Sequence, residues 1–137
     1  MTQPVENVVT AVVALIDGVA GLQQVPVNPP ETVNVATYAL VYAENGNIDN
    51  GVVGSKKALH NISIDVLTKR TDLARDMGRI KPFVDLIPAA LLADPTLTGT
   101  AQTFEGLSYE LITPEYAGVA NIGYKFILQN VKILTAL

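Results

Sequence analysis

Lys57-Ala-Leu-His-Asn-Ile-Ser-Ile-Asp-Val-Leu-Thr-Lys69 is the stretch that decides the fold. His60, Ile62, Ile64 and Val66 alternate with Asn61, Ser63 and Asp65. A period of two is that of a strand with one buried and one wet face. Leu67 interrupts the alternation near the end. The chain therefore builds a sheet covered by other elements on one side, and the flanking sequence must supply that cover.

Upstream, Thr37 to Glu44 is rich in Tyr, Val and Leu and reads as a second strand. Between the two lies Glu44-Asn-Gly-Asn-Ile-Asp-Asn-Gly-Val-Val-Gly54, whose Asn, Asp and Gly favour turns. It is too long for a tight turn, so a mobile loop or a long, protruding hairpin tip is expected. Before these strands, Val5, Val9, Val12, Ile16 and Val19 follow a 4-3-4-3 spacing, one face of a helix running from Pro4 to Asp17. Pro4 suits the first turn, and Gly18 and Gly21 end the helix. Residues 23–34, with Pro26, Pro29 and Pro30, read as an extended connection.

Downstream, Thr71 is placed to cap a second helix. Leu73, Met77, Ile80, Val84, Ile87 and Leu91 hold one helical face through Pro82 and Pro88, so a kink or break is expected without loss of the buried side. The helix stops by Asp94-Pro95. Thr100 to Glu105 and Leu107 to Thr113 read as short strands, Pro114 to Gly118 as a turn, and Val119 to Leu134 as a long last strand. The fold class expected is α+β: a single domain over residues 1–137, with one mixed or antiparallel sheet of about four to five strands packed against two helices.

Composition narrows the function. In 137 residues, 49% are hydrophobic and only 16% charged, below the usual quarter. Part of the surface is then expected to carry uncharged polar groups, since Asn, Thr and Gln are plentiful, and part to be buried against partners. A net charge of −4 disfavours non-specific binding to DNA or to an anionic membrane. Without cysteine, disulfides and thiolate metal sites are excluded. Glu6 stands where a signal peptide would be basic, and the apolar stretch from Val8 to Leu22 is short for a membrane span, so a soluble chain is expected.

No constellation suggests catalysis. His60 is the single histidine and falls on the apolar side of its strand, where a packed histidine is expected rather than a ligand or base. The 13 acidic residues are scattered, and none sits in an apolar strand context that would raise its pKa. Gly46, Gly51 and Gly54 are irregularly spaced and not followed by a helix, unlike a phosphate loop. No enzyme activity, cofactor or metal is implied.

Two features remain as candidate contact surfaces. The first is the Asn/Gly-rich segment, with Asn45, Asn47, Asp49, Asn50, Val52 and Val53. So long a loop in so small a domain is more often functional than not. The second is a basic cluster, Lys69, Arg70, Arg75, Arg79 and Lys81, which holds five of the nine cations. The spacing of Asp72–Arg75, Asp76–Arg79 and Lys81–Asp85 allows these charges to be paired on a solvated helix face instead.

From about Leu59 onward the chain resembles the tail terminator (tail completion) proteins of long-tailed bacteriophages. The likeness rests on an ordered set of features. His60-Asn-Ile-Ser-Ile-Asp-Val66 is similar to their core strand. Leu73-Ala-Arg-Asp-Met-Gly-Arg-Ile80 and Pro82-Phe-Val-Asp-Leu-Ile-Pro-Ala-Ala-Leu-Leu92 are similar to the following helix. Asp94-Pro-Thr-Leu-Thr-Gly99 resembles the turn into paired strands that carry Tyr109, although Thr98 stands where many relatives have glycine. Tyr116-Ala-Gly-Val-Ala, then Gly123-Tyr-Lys-Phe-Ile-Leu128, resembles the final turn and strand. The N-terminal helix and the 44–54 loop agree with the family in position only.

The resemblance implies a virion protein of the tail or neck, assembled in the host cytoplasm. It would form a homo-oligomeric ring, usually a hexamer, on the end of the tail tube, stop tube polymerisation and present the surface that joins the head. The implied partners are other copies of the chain, the tail tube protein and the head–tail connector protein. DNA would pass through the ring without specific recognition, and no membrane is involved. The alternatives are another head–tail connector protein, a ligand-binding α/β module unrelated to phage, or a small hydrolase using carboxylates.

Overall fold

Strand β2 (Ser55–Lys69) lies at the centre of the sheet, as its alternation requires. The computed structural model describes residues 4–19, 21–22, 37–52, 55–94, 96–97, 99, 101, 103–116 and 118–136. Strand β2 pairs with β1 (Thr37–Val52) on one side and with β5 (Val119–Ala136) on the other, both antiparallel. Strand β3 (Gly106–Ile112) adds to the far side of β5, giving the order β1-β2-β5-β3. The two-residue β4 (Glu115–Tyr116) folds back on Val119 and Ala120, so the expected turn at 114–118 is the end of a small hairpin.

Helices α1 (Pro4–Ile16), α2 (Leu73–Ile80) and α3 (Phe83–Leu92) cover one face. Val8, Val12, Ile16, Ile80, Phe83, Ile87 and Leu91 pack there against Ala39, Val41, Ile62, Ile64, Val66, Ile122, Phe126 and Leu128. The α+β reading, with a single sheet packed on one helix and on a second, bent one, is the observed architecture. The bend falls at Lys81–Pro82, while Pro88 is accommodated inside α3. Pro82 has no N–H to continue the α2 ladder, and α3 starts immediately after it.

Three local expectations change. Asp72, not Thr71, caps α2: its carboxylate accepts the N–H of Ala74 at 3.2 Å. The expected strand at 100–105 reduces to a single bridge, Thr103 to Lys132, among the described residues. Leu67, which interrupts the alternation, is 1% exposed on the face away from the helices. With Tyr38, Leu40 and Ile112 it makes a second, smaller apolar cluster there. The connection at 23–34 lies outside the described residues.

Candidate functional site

Of the two forms expected for the Asn/Gly-rich segment, a mobile loop or a long hairpin tip, the described residues show the second. Strand β1 runs through it to Val52, which faces Ser55 in register, so the hairpin is long. Turn-forming residues are carried into the ladder because β2 offers a continuous partner. Strand β5 follows on the other side of β2 as far as Ala136 opposite Ser55. Beyond the start of β3 at Gly106, opposite Gln129, the sheet therefore continues as a three-stranded arm. From His60 to Ser55 the arm spans about 17 Å, at roughly 3.3 Å per residue.

Two aligned bulges mark the arm's base. One lies between Ala43 and Asn45 of β1 and leaves Glu44 unpaired. The other lies in β5, where His60 and Ile62 face Val131 and Leu128, and Asn130 takes up the extra residue at φ 51°. Asparagine tolerates this left-handed conformation better than most residues. Asn61 ties the two bulges together: its amide donates to Asn45 Oδ1, and its Oδ1 accepts the backbone N–H of Asn130 at 3.0 Å. The Asn130 side chain in turn donates to Glu105 at 2.7 Å. Glu44, Asn45, Asn61, Ile127, Gln129 and Asn130 line a shallow polar cleft of about 310 Å³ at this point. On the other face His60 sits against Gly46, where a Cβ would come within 2.7 Å of its Nδ1. Partial burial lowers the His60 pKa.

Next to the arm base, the face away from the helices carries a charge network. Lys125 forms an ion pair with Glu44 and lies 5.8 Å from the centre of the Tyr42 ring. Ser63 donates to Glu44 and Tyr42 to Asp65, each at 2.9 Å. The hydrogen bond from Lys125, aided by Ser63, lowers the Glu44 pKa, and the same bond raises that of Lys125. Burial raises the Asp65 pKa, against the expectation that no acid would sit in such a setting. Alternation placed Asp65 on the wet face, but Tyr42 closes over it, and its Oδ1 has no hydrogen-bond partner among the described residues. Burial, then the Asp65 charge, raises the Tyr42 pKa.

The basic cluster lies at the far end of β2. Lys69 pairs in register with Asn121, and the Arg70 N–H donates to Ala120 at 3.0 Å. Arg75 and Arg79 are exposed on α2, and Arg75 donates to Thr71 Oγ1 at 3.1 Å. The expected pairing of Asp76 with Arg79 does not form. Asp76 turns inward, is 0% exposed, and accepts the N–H groups of Thr71 at 2.7 Å and Asp72 at 3.1 Å. Neither Asp72–Arg75 nor Lys81–Asp85 forms an ion pair among the described residues.

The structure thus separates the two groups of candidate contact residues. Asn45, Asn47, Asp49, Asn50 and Val52 belong to the arm, and Val53 lies outside the described residues. Lys69, Arg70, Arg75 and Arg79 sit at the opposite end of β2, which from Ser55 to Lys69 is about 45 Å long. Among the described residues no group of three His, Cys, Asp or Glu is placed to hold a metal, and no helix is long and apolar enough to cross a membrane. Sequence reading missed the Asn61 tie and the β3 margin, where Tyr109 and Leu111 are 56% and 50% exposed. The apolar alternation of Leu107, Tyr109 and Leu111 was the available signal for the latter.

No family model and no curated protein matches the chain. Among solved structures it is similar to a chain in one described as "Virion of native gene transfer agent (GTA) particle". Identity there is 18%, covering 88% of this chain and 84% of the other, with a TM-score of 0.39.

Proposed function

We propose that this chain is a structural protein of a phage-type virion, acting as a terminator at the end of the tail tube. In this reading copies of the chain close into a ring, probe no substrate, stop tube growth and offer the surface to which the head connector binds. The observation that carries it is the three-stranded arm made by β1, β2 and β5 beyond the aligned bulges. An arm of paired strands is stiffer than a loop, and its outer strands keep backbone groups able to pair with a neighbouring chain. The ordered likeness of residues from Leu59 onward to tail terminators supports the same reading. So does the low charge content, 16%, which leaves surface suited to burial against partners.

The test is polymerisation of purified tail tube protein, followed by electron microscopy with and without this chain. Shortened tubes with the chain at one end are expected, and deletion of residues 47–58 should remove the effect. Unchanged tube lengths and no bound chain would overturn the proposal.

A further inference from the structure

Two surfaces of this chain carry opposite charge, and each includes exposed apolar side chains. On α2 and the residues before it, Arg70, Arg75, Arg79 and Lys81 are exposed. Of the three acids spaced to neutralise them, Asp76 is engaged with the N–H groups of Thr71 and Asp72 and Asp72 with that of Ala74, while Asp85 is exposed and forms no ion pair with Lys81 among the described residues. The ion pair formed among the described residues is Lys125–Glu44, on another face. Leu73, 53% exposed, adds an apolar group to the same helix. The second surface is the sheet margin at β3 and β4. Glu105, Glu110 and Glu115 are exposed there, and residues 103–116 contain no lysine or arginine. Tyr109 and Leu111 are exposed on the helix side of β3, Glu110 takes the other face opposite Lys125, and β3 ends the sheet.

We infer that the β3 margin of one copy docks against the α2 cationic surface of the next copy. This rests on the self-assembly reading above and adds the faces that meet. Four cations meet three carboxylates, and the exposed Tyr109 and Leu111 are covered by a surface that itself offers Leu73. Opposite charges beside exposed apolar side chains match the composition of protein interfaces. Because the two faces differ, the contact is head-to-tail, the kind that builds a ring where the rotation closes, and not a two-fold dimer. Nucleic acid fits less well. The exposed aromatic Tyr109 lies on the acidic margin, where phosphates are repelled, and no aromatic residue interleaves with the α2 cations.

The experiment is sedimentation of the full chain and of two charge-reversed variants, Glu110→Lys/Glu115→Lys and Arg75→Glu/Arg79→Glu. All four residues are exposed, and urea unfolding checks that each variant is folded. The wild-type chain should self-associate, less so at high salt. Each variant alone should associate roughly a hundredfold more weakly, since like charges now meet. An equimolar mixture should recover association, because reversed margin then meets reversed helix and native margin meets native helix. Association of both variants like wild type would overturn the contact while leaving ring formation intact. A wild-type chain that stays monomeric, or that binds duplex DNA through the arginines instead, would overturn it too. The tube-growth assay tests the virion role separately.

Discussion

Leu67 and Gly123 face one another across β2 and β5 so closely that a Cβ on Gly123 would lie 2.9 Å from Leu67 Cα. The same atom would lie 1.9 Å from the carbonyl oxygen of Val66. Gly123 also pairs in register with Ile112 of β3. The missing side chain lets Leu67 and Ile112 close together in the small apolar cluster with Tyr38 and Leu40. Gly123→Ala should therefore destabilise the protein by about 3 kcal/mol or more, since the clash is with backbone that cannot rotate away. Urea unfolding measures it; an unchanged midpoint would show that the sheet adjusts at no cost.

Gly78 presents the opposite case. It lies inside α2, and a Cβ there would meet nothing within 4 Å. Gly78→Ala should stabilise by about 0.5–1 kcal/mol, because alanine narrows the unfolded ensemble and favours helix. A higher thermal midpoint is the expected result, and a lower one would mean that α2 needs glycine for a contact.

Asp76 shows how far the sequence could be read. Its spacing served two structures equally well, a solvated pair with Arg79 or an inward acceptor for the first turn. Local spacing does not choose between them. The apolar registers of Val8 to Ile16 and of Ile62 to Val66 were legible because each repeats one period over several turns or pairs. The arm was half legible: Asn and Gly announce a turn, but only the partner strand decides that they pair up to Val52. The β5 bulge did leave a mark that was passed over: apolar positions run on even numbers from Ile122 to Leu128 and on odd ones at Val131 and Ile133, a phase shift at Gln129-Asn130. Asp65 was misread because alternation tells which face a residue takes, not what closes over it.

The buried Asp76 carboxylate gives a direct test of its capping role. Asp76→Ala leaves the N–H groups of Thr71 and Asp72 without their acceptor. A loss of about 2 kcal/mol is expected, within the range for an unsatisfied buried donor and a lost cap. Arg79→Ala should change stability by less than about 0.5 kcal/mol, because Arg79 is exposed and forms no ion pair among the described residues. Equal losses in the two variants would restore the surface pairing that the spacing suggested.

Asp65 and Glu44 should respond to pH in opposite directions. Burial raises the folded-state pKa of Asp65. Its favourable contribution is thus complete below the unfolded carboxylate pKa and is lost as pH rises through the folded value. Glu44 is lowered by Lys125, then Ser63, so its contribution is present above the unfolded pKa and is lost as pH falls through the folded one. Asp65→Asn should therefore gain stability over wild type at neutral pH and lose that advantage below about pH 4. Urea titrations at the two pH values decide it, and an advantage independent of pH would show that Asp65 does not titrate differently on folding.

Asn61 couples the body of the sheet to its arm, and its removal should be felt mainly on the arm side. Its side chain contacts both bulges, through Asn45 in β1 and the Asn130 N–H in β5. On the body side, Ile62, Ile64 and Val66 are fully buried beneath the helices, so that part has its own support. Asn61→Ala should cost about 1–2 kcal/mol in global stability, as two hydrogen bonds at a bulge are lost. Amide exchange should resolve the rest. Protection of Asn47, Ile48 and Asp49 should fall by roughly tenfold, while amides of Ile64 and Phe126 should change only by the global amount. Uniform loss across the sheet would instead make arm and body one cooperative unit, with the bulges no more than a local irregularity.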